Sequence, residues 1–343
     1  MTKAAELAKL GEVMTNSQIS GRRNIVTNST MQIAQRGSST ATGVTAGYHS
    51  IDQFRTQGSG NIGQYTISQS TDCPSGIANS MKIDVTTADT SISAGDHFGI
   101  GQHIESYNLA QVKKGTSDAK PLTLSFYVKS NVQKQFVVEL TDSGNSRHIN
   151  FQKTVSAINT WERMIVNIPA DTSGGFGSGT GKGAELNFWL SAGTTYTSGS
   201  AQNTWASRSA ANIAPGVANI ADSTSNEFFI TGIQLEIGNF PNGTTLEQRT
   251  FAEELALCQR YYYPAQNFYG GIINASNTTL IRQYNTFPVQ MRTTPTVVLG
   301  AITSGWSLST VAIQSQGHSV EYSASARTDF RPAITNQVYG AEL

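Results

Sequence analysis

The sequence predicts an all-β protein: a jelly-roll β-sandwich body plus a smaller C-terminal β domain, with a short N-terminal helix and one linking helix. Apolar and polar residues alternate in short stretches between residues 25 and 237, and no helical period separates these stretches. Clusters of Gly, Ser and Asn punctuate them, as at turns between antiparallel strands. Runs of strands without intervening helices favour a sandwich or jelly roll over an α/β fold.

The first element is a short amphipathic helix within residues 1–20. Leu7, Leu10 and Met14 recur at helical spacings of three and four. Gly11 limits the helix to about two turns, which is below the ~12–15 residues that an isolated helix needs in water. We therefore expect this segment to dock through these apolar residues onto a partner or sister subunits, or else onto its own domain.

Residues 21–245 are predicted to form the jelly-roll body. Its strand candidates have apolar residues at every second position or form short apolar runs, at 25–26, 31–34, 65–68, 81–85, 122–128, 136–140, 161–168, 185–190 and 228–237. Two stretches interrupt them: a glycine-rich segment at 171–183, predicted to be a flexible surface loop, and a polar insertion at 194–225. Loops longer than ~12–15 residues are uncommon unless they are functional or disordered.

A single linking helix is predicted within residues 246–263. Thr250 precedes Glu253 by three residues, which is the spacing of a capping box. One apolar stripe follows at Phe251, Leu255, Cys258 and Tyr262. Pro264 ends the helix, and residues 264–343 then carry strand signals for a smaller β domain, at 270–274, 280–284, 296–299, 312–314 and 320–323.

The composition argues against two classes of partner. Lys plus Arg number 23 and Asp plus Glu number 23, so bulk charge attracts the chain to neither nucleic acid nor a membrane surface. No window approaches the ~20 apolar residues of a membrane span, and the N-terminus lacks the apolar segment of a signal peptide. We therefore expect synthesis in the cytoplasm, and an uncharged polar surface typical of extracellular and virion β proteins.

The ionisable residues predict neither a metal site nor a cofactor. The five histidines are scattered, and only Asp96-His97 with His103 approaches a ligand cluster. Lys182 in the glycine-rich segment is followed by Gly183, which departs from a nucleotide-binding P-loop. Cys73 lies in a turn and Cys258 on the helix stripe, a spacing that gives no support to a disulfide. No catalytic residue is predicted, although paired carboxylates of a sugar-cleaving enzyme would be invisible in sequence.

Aromatic residues in loops are the candidate ligand contacts, because sugar rings stack their C–H faces on exposed Trp and Tyr. Trp161 and Trp189 lie in predicted strands and are expected in the core. Tyr196 and Trp205 in the insertion, and Trp306 in the last domain, are the candidate sugar-binding residues. The alternative is that these loop aromatics hold their own loops or a subunit interface.

Two segments together resemble a family of bacteriophage virion proteins described as tail fibre or tail-associated proteins. They are RNIVTNSTMQIAQRG at 23–37, and GIQLEIG at 232–238 with RTFAEELALCQRYY at 249–262. In that family the body between these segments is similar to a carbohydrate-binding-module jelly roll. The resemblance covers residues 21–263 and implies a position in a virion more firmly than it implies a ligand.

The resemblance implies a tail fibre or tail-tip subunit, on the exterior of a phage tail, that attaches to host surface carbohydrate. We expect a homotrimer, because fibres of this kind are built so, joined through its N-terminus to other virion proteins. The rival interpretation is a structural subunit without receptor binding: a head fibre, a capsid decoration or a tail connector. A polysaccharide depolymerase is the third.

Overall fold

The computed structural model describes residues 3, 22–37, 39–42, 46–265, 268–269, 279–298, 307–324, 333–334 and 337–343. Strands make up 41% of the structure and helices 10%, which confirms the predicted all-β class. The chain divides into two compact units, Met1–Arg249 and Thr250–Leu343. No helix among the described residues is long and apolar enough to cross a membrane.

The first unit is built of strands with short helical turns. The helices are α1 Ser106–Leu109 and α2 Thr194–Thr197, with 3-10 turns at Ala110–Val112, Ala210–Asn212 and Ile220–Asp222. The strands are β1 Ser39–Thr42, β2 Gly47–Tyr48, β3 Phe54–Ser59, β4 Gln64–Ser70, β5 Ser80–Thr87, β6 His97–Glu105, β7 Leu122–Ser130, β8 Gln135–Asp142, β9 Arg147–Thr154, β10 Glu162–Ile168, β11 Lys182–Ala192, β12 Ala206–Ser207 and β13 Glu227–Ile237.

These strands form two antiparallel sheets that enclose one core. Among the described residues, one sheet has the order β1-β4-β5-β13-β7-β10 and the other the order β12-β9-β8-β11-β6-β3-β2. Aromatic rings meet between the sheets: Phe126 of β7 packs edge-on against Phe188 of β11, with centroids 5.1 Å apart, and Phe136 of β8 against Phe228 of β13 at 5.4 Å. Burial of such apolar side chains is the main stabilisation of a β-sandwich.

Within the first unit, the start of the 23–37 segment lies against the 232–238 segment. The Asn24 amide donates to the Ile233 carbonyl at 3.0 Å and accepts from the Leu235 N–H at 3.1 Å. A carboxylate oxygen of Glu247 accepts the backbone N–H groups of Arg23, at 2.6 Å, and of Asn24, at 3.0 Å. Residues 23–37 are thus fastened to the last strand of the sandwich by side chains.

This fastening corrects the predicted strands at 25–26 and 31–34, which are irregular in the structure. The Asn28 amide accepts from the Ile33 N–H at 3.0 Å and donates to the Ile33 carbonyl at 2.8 Å. Asn28 and Met31 both have positive φ angles, of 55° and 58°. Because the amide supplies the partners that a neighbouring strand would supply, the segment keeps its apolar residues inside without pairing in a ladder.

The glycine-rich segment at 171–183 is an irregular loop with many exposed residues, and it is anchored to the sandwich at one buried side chain. Phe176 is 5% exposed and belongs to the core. The Ser106 hydroxyl donates to the Phe176 carbonyl at 2.9 Å, and the Asn145 amide donates to the Gly175 carbonyl at 2.6 Å. The glycines here allow close backbone approach: a Cβ on Gly183 would lie 2.7 Å from the Phe176 carbonyl oxygen.

The second unit begins with the predicted helix. The strands follow α3 Phe251–Gln259 as β14 Tyr262–Ala265, β15 Phe268–Tyr269, β16 Thr279–Thr286, β17 Thr296–Val298, β18 Ser307–Gln314, β19 Gly317–Ala324, β20 Ala333–Ile334 and β21 Gln337–Gly340. Thr250 and Glu253 form the predicted capping box. The predicted stripe is only partly buried, since Phe251 is 58% exposed and Tyr262 belongs to β14. The strand prediction at 270–274 lies outside the described residues.

Candidate functional site

The outward face of the seven-stranded sheet carries an unusual set of polar side chains. Alternation along each strand puts one set of side chains in the core and the next set on this face; on β6, for example, Phe98, Ile100 and Ile104 belong to the core. We call the opposite set the outer face; it comprises Tyr48, Arg55, Gln57, His97, Gly99, Gly101, His103, Glu105, Val137, Glu139, Thr141, His148, Asn150, Gln152, Glu185, Asn187 and Trp189. Several of its polar members are buried: Glu139, His148, Asn150 and Asn187 are all 0% exposed.

Strand register aligns five of these residues in one row across the sheet. Asn150 of β9 stands opposite Glu139 of β8, which stands opposite Asn187 of β11. Asn187 in turn faces Gly101 of β6, and Gly101 faces Arg55 of β3. The row therefore brings amide, carboxylate and guanidinium groups from sequence positions 55 to 187 onto one surface.

Two glycines of β6 provide space for the side chains of β11. A Cβ on Gly101 would lie 2.4 Å from the Asn187 Oδ1 atom and 2.6 Å from the Leu186 carbonyl oxygen. A Cβ on Gly99 would lie 2.5 Å from the Phe188 carbonyl oxygen and 3.0 Å from the indole of Trp189. The side chains of Asn187 and Trp189 can occupy these positions only because β6 lacks Cβ atoms there.

We predict that Gly101→Ala destabilises the first unit by about 2 kcal/mol, within the usual range for overpacking. The added methyl group must displace both an amide side chain and a carbonyl of the neighbouring strand. Chemical denaturation of the full-length protein measures the change, with Gly95→Ala as the control because nothing lies within 4 Å of a Cβ there. Equal stability of the two variants would contradict the close approach.

The insertion at 194–225 covers one half of the outer face. Ile213 and Ala214 pack onto Val137 and Trp189 in a small apolar cluster, which Tyr196 joins at its edge. Polar contacts fasten the same half: the Gln202 N–H donates to the Asn150 Oδ1 atom at 2.9 Å, and the Gln152 amide to the Pro215 carbonyl at 2.8 Å. This covered half, residues 137–139, 148–152 and Trp189, is closed to a large ligand.

Glu139 is the centre of the polar contacts in the covered half. Its carboxylate accepts from Arg208 Nε at 2.9 Å, from His148 Nδ1 at 2.8 Å and from Trp189 Nε1 at 2.9 Å. Burial raises the pKa of Glu139, but the hydrogen bonds from His148 and Arg208 outweigh it, so the pKa lies below its usual value. The carboxylate is therefore charged at neutral pH and holds Arg208 of the insertion against the sheet.

The other half of the outer face is open. Arg55 and Gln57 are half-buried on β3. Arg55 Nη1 lies 2.9 Å from His103 Nε2, and Gln57 Nε2 lies 3.3 Å from the same ring atom. The Gln57 amide also donates to Asn187 Oδ1 at 3.2 Å. Tyr48 stands opposite Arg55 in register and places its ring centroid 5.6 Å from the guanidinium carbon. We call Tyr48, Arg55, Gln57, His103, Glu185 and Asn187 the open half.

In the described part of the chain, four buried side-chain atoms without a hydrogen-bond partner lie on this face: Arg55 Nε and Asn187 Nδ2 in the open half, and His148 Nε2 and His97 Nδ1 beside the insertion. Other such atoms among the described residues lie elsewhere, for example Ser50 Oγ and Arg163 Nε. A buried donor that makes no hydrogen bond costs roughly 1–3 kcal/mol unless water or a ligand completes it. These four atoms make the outer face a candidate for ligand binding.

The candidate sugar-binding aromatics of the insertion are packed. Tyr196 lies edge-on to His97, with centroids 4.6 Å apart. Trp205 lies edge-on to Phe176 at 6.0 Å, and its indole N–H donates to the Pro169 carbonyl at 2.9 Å. Both hold the insertion in place, as in the alternative interpretation of loop aromatics. Trp306 and the attachment residues lie outside the described residues, the latter being Leu7, Leu10 and Met14.

Of the two strand tryptophans, Trp189 is buried in a strand as predicted, whereas Trp161 departs from the core prediction. Trp161 precedes β10, is half-buried, and donates its indole N–H to Asp72 at 3.0 Å. Trp189 is 4% exposed, but it lies on the outer face and not between the sheets. In the part of the chain that the structure describes, no group of three or more His, Cys, Asp or Glu side chains is arranged to hold a metal ion.

A pocket of about 390 Å³ lies within the second unit, at the end of the β18–β19 hairpin. It is lined by Thr286, Ala312, Gln314, Gln316, Gly317, His318 and Ser319. Burial lowers the pKa of His318 to about 4, so the imidazole is neutral at neutral pH. The pocket thus offers uncharged groups only.

Comparison with known proteins finds likenesses in structure alone. No family model matches the chain, and no curated protein matches it. A tailspike enzymatic domain of bacteriophage CBA120 is 12% identical with a TM-score of 0.33, and the match covers 62% of this chain and 21% of the tailspike. The carbohydrate-binding module TmCBM61, solved with β-1,4-galactotriose, is 8% identical with a TM-score of 0.30, covering 63% of this chain and 99% of the module. A putative sugar-binding protein of Bacteroides thetaiotaomicron is 11% identical with a TM-score of 0.35, covering 63% and 100%.

Proposed function

We propose that this protein is a phage virion protein, a tail fibre or tail-tip subunit, which attaches to host surface glycans through the open half of the outer face. The observation that carries the proposal is that the open half places amide, guanidinium and imidazole groups beside the ring of Tyr48. Sugars need hydrogen-bonding groups for their hydroxyls and an aromatic surface for their C–H faces. The virion setting is supported by the resemblance of residues 23–37 and 232–262 to tail-associated proteins.

The open half is suited to weak, repeated binding. Its side chains come from β2, β3, β6 and β11, so adjacent strands of one sheet hold them in position. In our proposal three copies form a homotrimer, which joins other virion proteins through the N-terminal segment. Each later contact of such a trimer with a cell is intramolecular, and avidity can then exceed a single affinity by ~10²–10⁴-fold.

The ionisation of the outer face favours binding without cleavage. A glycosidase needs one carboxyl group that is protonated at working pH. Two carboxylates of the outer face, Glu139 and Glu185, have lowered pKa values. At Glu185 burial raises the pKa, but the hydrogen bond from Lys182 and the charge of His103 outweigh it. We therefore propose an adhesin and not a depolymerase.

The Gln57→Ala variant tests the location of the site. Removal of its amide should weaken binding of the full-length protein to intact host cells by roughly fivefold, because one hydrogen bond contributes about 1 kcal/mol. Gln64→Ala is the matched control, since Gln64 is exposed on the other sheet; we expect less than a twofold change. Unchanged binding by Gln57→Ala would move the site elsewhere. No binding by the unmodified protein would favour a structural virion subunit.

A further inference from the structure

We propose that the glycan bound by the open half is acidic, and that Arg55 pairs with its anionic group. This inference rests on the proposed function and adds the class of ligand. An anionic sugar substituent is a carboxylate, as in a uronic acid, or a phosphate. Both present the planar or forked oxygens that a guanidinium binds with two parallel hydrogen bonds.

The first argument is that Arg55 has no carboxylate partner among the described residues. Other arginines of the first unit do: Arg36 lies 3.3 Å from Asp52, Arg147 lies 2.9 Å from Asp171, and Arg208 lies 2.9 Å from Glu139. The guanidinium of Arg55 instead lies against a ring nitrogen, with Nη1 2.9 Å from His103 Nε2. Its Nε atom is buried without a partner. A half-buried cation without a counter-charge is costly unless a ligand supplies one.

The second argument is the charge balance around Arg55. Glu185 is paired with Lys182, and Asp52 is paired with Arg36. Arg55 Nη1 and Gln57 Nε2 both lie close to His103 Nε2, at 2.9 Å and 3.3 Å, and Glu185 Oε1 lies 3.7 Å from the same ring atom. Of the arginine and the glutamate in the open half, Glu185 thus has a charged partner, and Arg55 has none among the described residues. The open half is therefore positive where the ligand would lie.

The third argument is that the guanidinium is held in place before a ligand arrives. The ring of Tyr48 lies near two guanidinium groups, with its centroid 5.6 Å from Arg36 Cζ and 5.6 Å from Arg55 Cζ. Immobilising an arginine on binding normally costs about 0.5–1.5 kcal/mol of side-chain entropy. A preformed arrangement reduces that loss. The anionic group would pair with Arg55 while a sugar hydroxyl reaches the half-buried Gln57 on the same strand.

The test compares Arg55→Gln with the full-length protein on a panel of bacterial surface polysaccharides. Each polysaccharide is used in its native form, after chemical reduction of its carboxylates to alcohols, and after removal of its phosphates. We expect the unmodified protein to bind an acidic native form at least tenfold more tightly than its neutralised form, because hydrogen bonds to charged groups are about twice as strong as neutral ones. Whichever treatment lowers binding identifies the anion.

In Arg55→Gln the affinity for the native acidic form should fall by roughly ten- to a hundredfold, while affinity for the neutralised form changes little. Lys113→Gln is the charge-matched control, since Lys113 lies on the surface with its side chain 51% exposed. Thermal melting checks that both variants fold. The protein could instead bind the neutral forms, with this binding weakened by Gln57→Ala and unchanged by Arg55→Gln. That result would contradict the proposal of an acidic ligand and leave the proposed function standing. Absence of binding to every form would overturn both.

Discussion

Lys114→Met should lower the unfolding free energy of the first unit by about 3–5 kcal/mol, the usual cost of removing one partner from a buried ion pair. The Lys114 side chain is 2% exposed, and its ammonium lies 2.6 Å from Asp142 Oδ2 and 3.0 Å from Asp171 Oδ2. It also donates to the carbonyls of Ser173, at 3.1 Å, and Gly174, at 2.8 Å. Methionine preserves much of the length and apolar volume of lysine but supplies none of these contacts.

The cost is large because the two carboxylates cannot leave the interior. The side chains of Asp142 and Asp171 are 0% and 7% exposed. Burial raises the pKa of Asp171, but hydrogen bonds from Arg147 and Lys114 outweigh it and lower the pKa. The ammonium also lies 4.6 Å from the ring centroid of Trp205, so its removal loosens the insertion as well.

Urea denaturation of the full-length protein, followed by tryptophan fluorescence, measures this change. Lys113→Met is the control, because the neighbouring lysine pairs only with exposed Asp118 at 3.4 Å; we expect its effect to stay within ~0.5 kcal/mol. Since domains commonly have only ~5–15 kcal/mol of stability, Lys114→Met is best produced at low temperature. A loss below 1 kcal/mol for this variant would show that the buried charges are compensated otherwise.

Glu139→Gln should cost about 3 kcal/mol at neutral pH. The substitution keeps the shape of the side chain but removes the charge that three donors share. One donor, the His148 side chain, is 0% exposed and must lose its charged acceptor. The Arg208 side chain is 32% exposed and can turn toward water. We therefore place the expected loss at the lower end of the range for a broken buried pair, about 3–5 kcal/mol. Release of Arg208 should also free the insertion from the outer face.

The pH dependence of this loss follows from the lowered pKa of Glu139. A carboxylate whose folded pKa lies below its unfolded value of about 4.5 stabilises the protein above that pH. The contribution disappears as the pH falls through the folded pKa. The difference between Glu139→Gln and the unmodified protein should thus be largest at pH 6–8 and shrink below pH ~4.5.

Thermal or urea unfolding at pH 4 and pH 7 tests this expectation. Glu185→Gln is the control on the same face, since Glu185 is 20% exposed and pairs with Lys182 at the surface; we expect a loss below 1 kcal/mol. Limited proteolysis within residues 194–225 reports on the insertion, and cleavage should become faster only in Glu139→Gln. Equal cleavage in both variants would contradict the fastening role of Glu139.

The strands with clean alternation were predictable from the sequence, and the structure confirms them as β4, β5, β7, β8, β10, β11 and β13. Their pattern reflects one buried and one outward side, which is a local property of the chain. The capping box at Thr250 and Glu253 was predictable for the same reason, because both partners lie within one turn. Strand β6 was missed. Its outward positions carry two glycines and two histidines, so Phe98, Ile100 and Ile104 do not stand out against polar neighbours.

The all-β class, the positions of most core strands and the start of helix α3 could be predicted from the sequence, since these follow from local periodicity and capping. Only the tertiary structure decided the candidate site. Arg55, Gln57, His103 and Asn187 are up to 132 positions apart by their numbers, and strand pairing alone brings them onto one face. The same pairing decided that Tyr196 and Trp205 pack against the sheet, because their environment comes from strands distant in the chain.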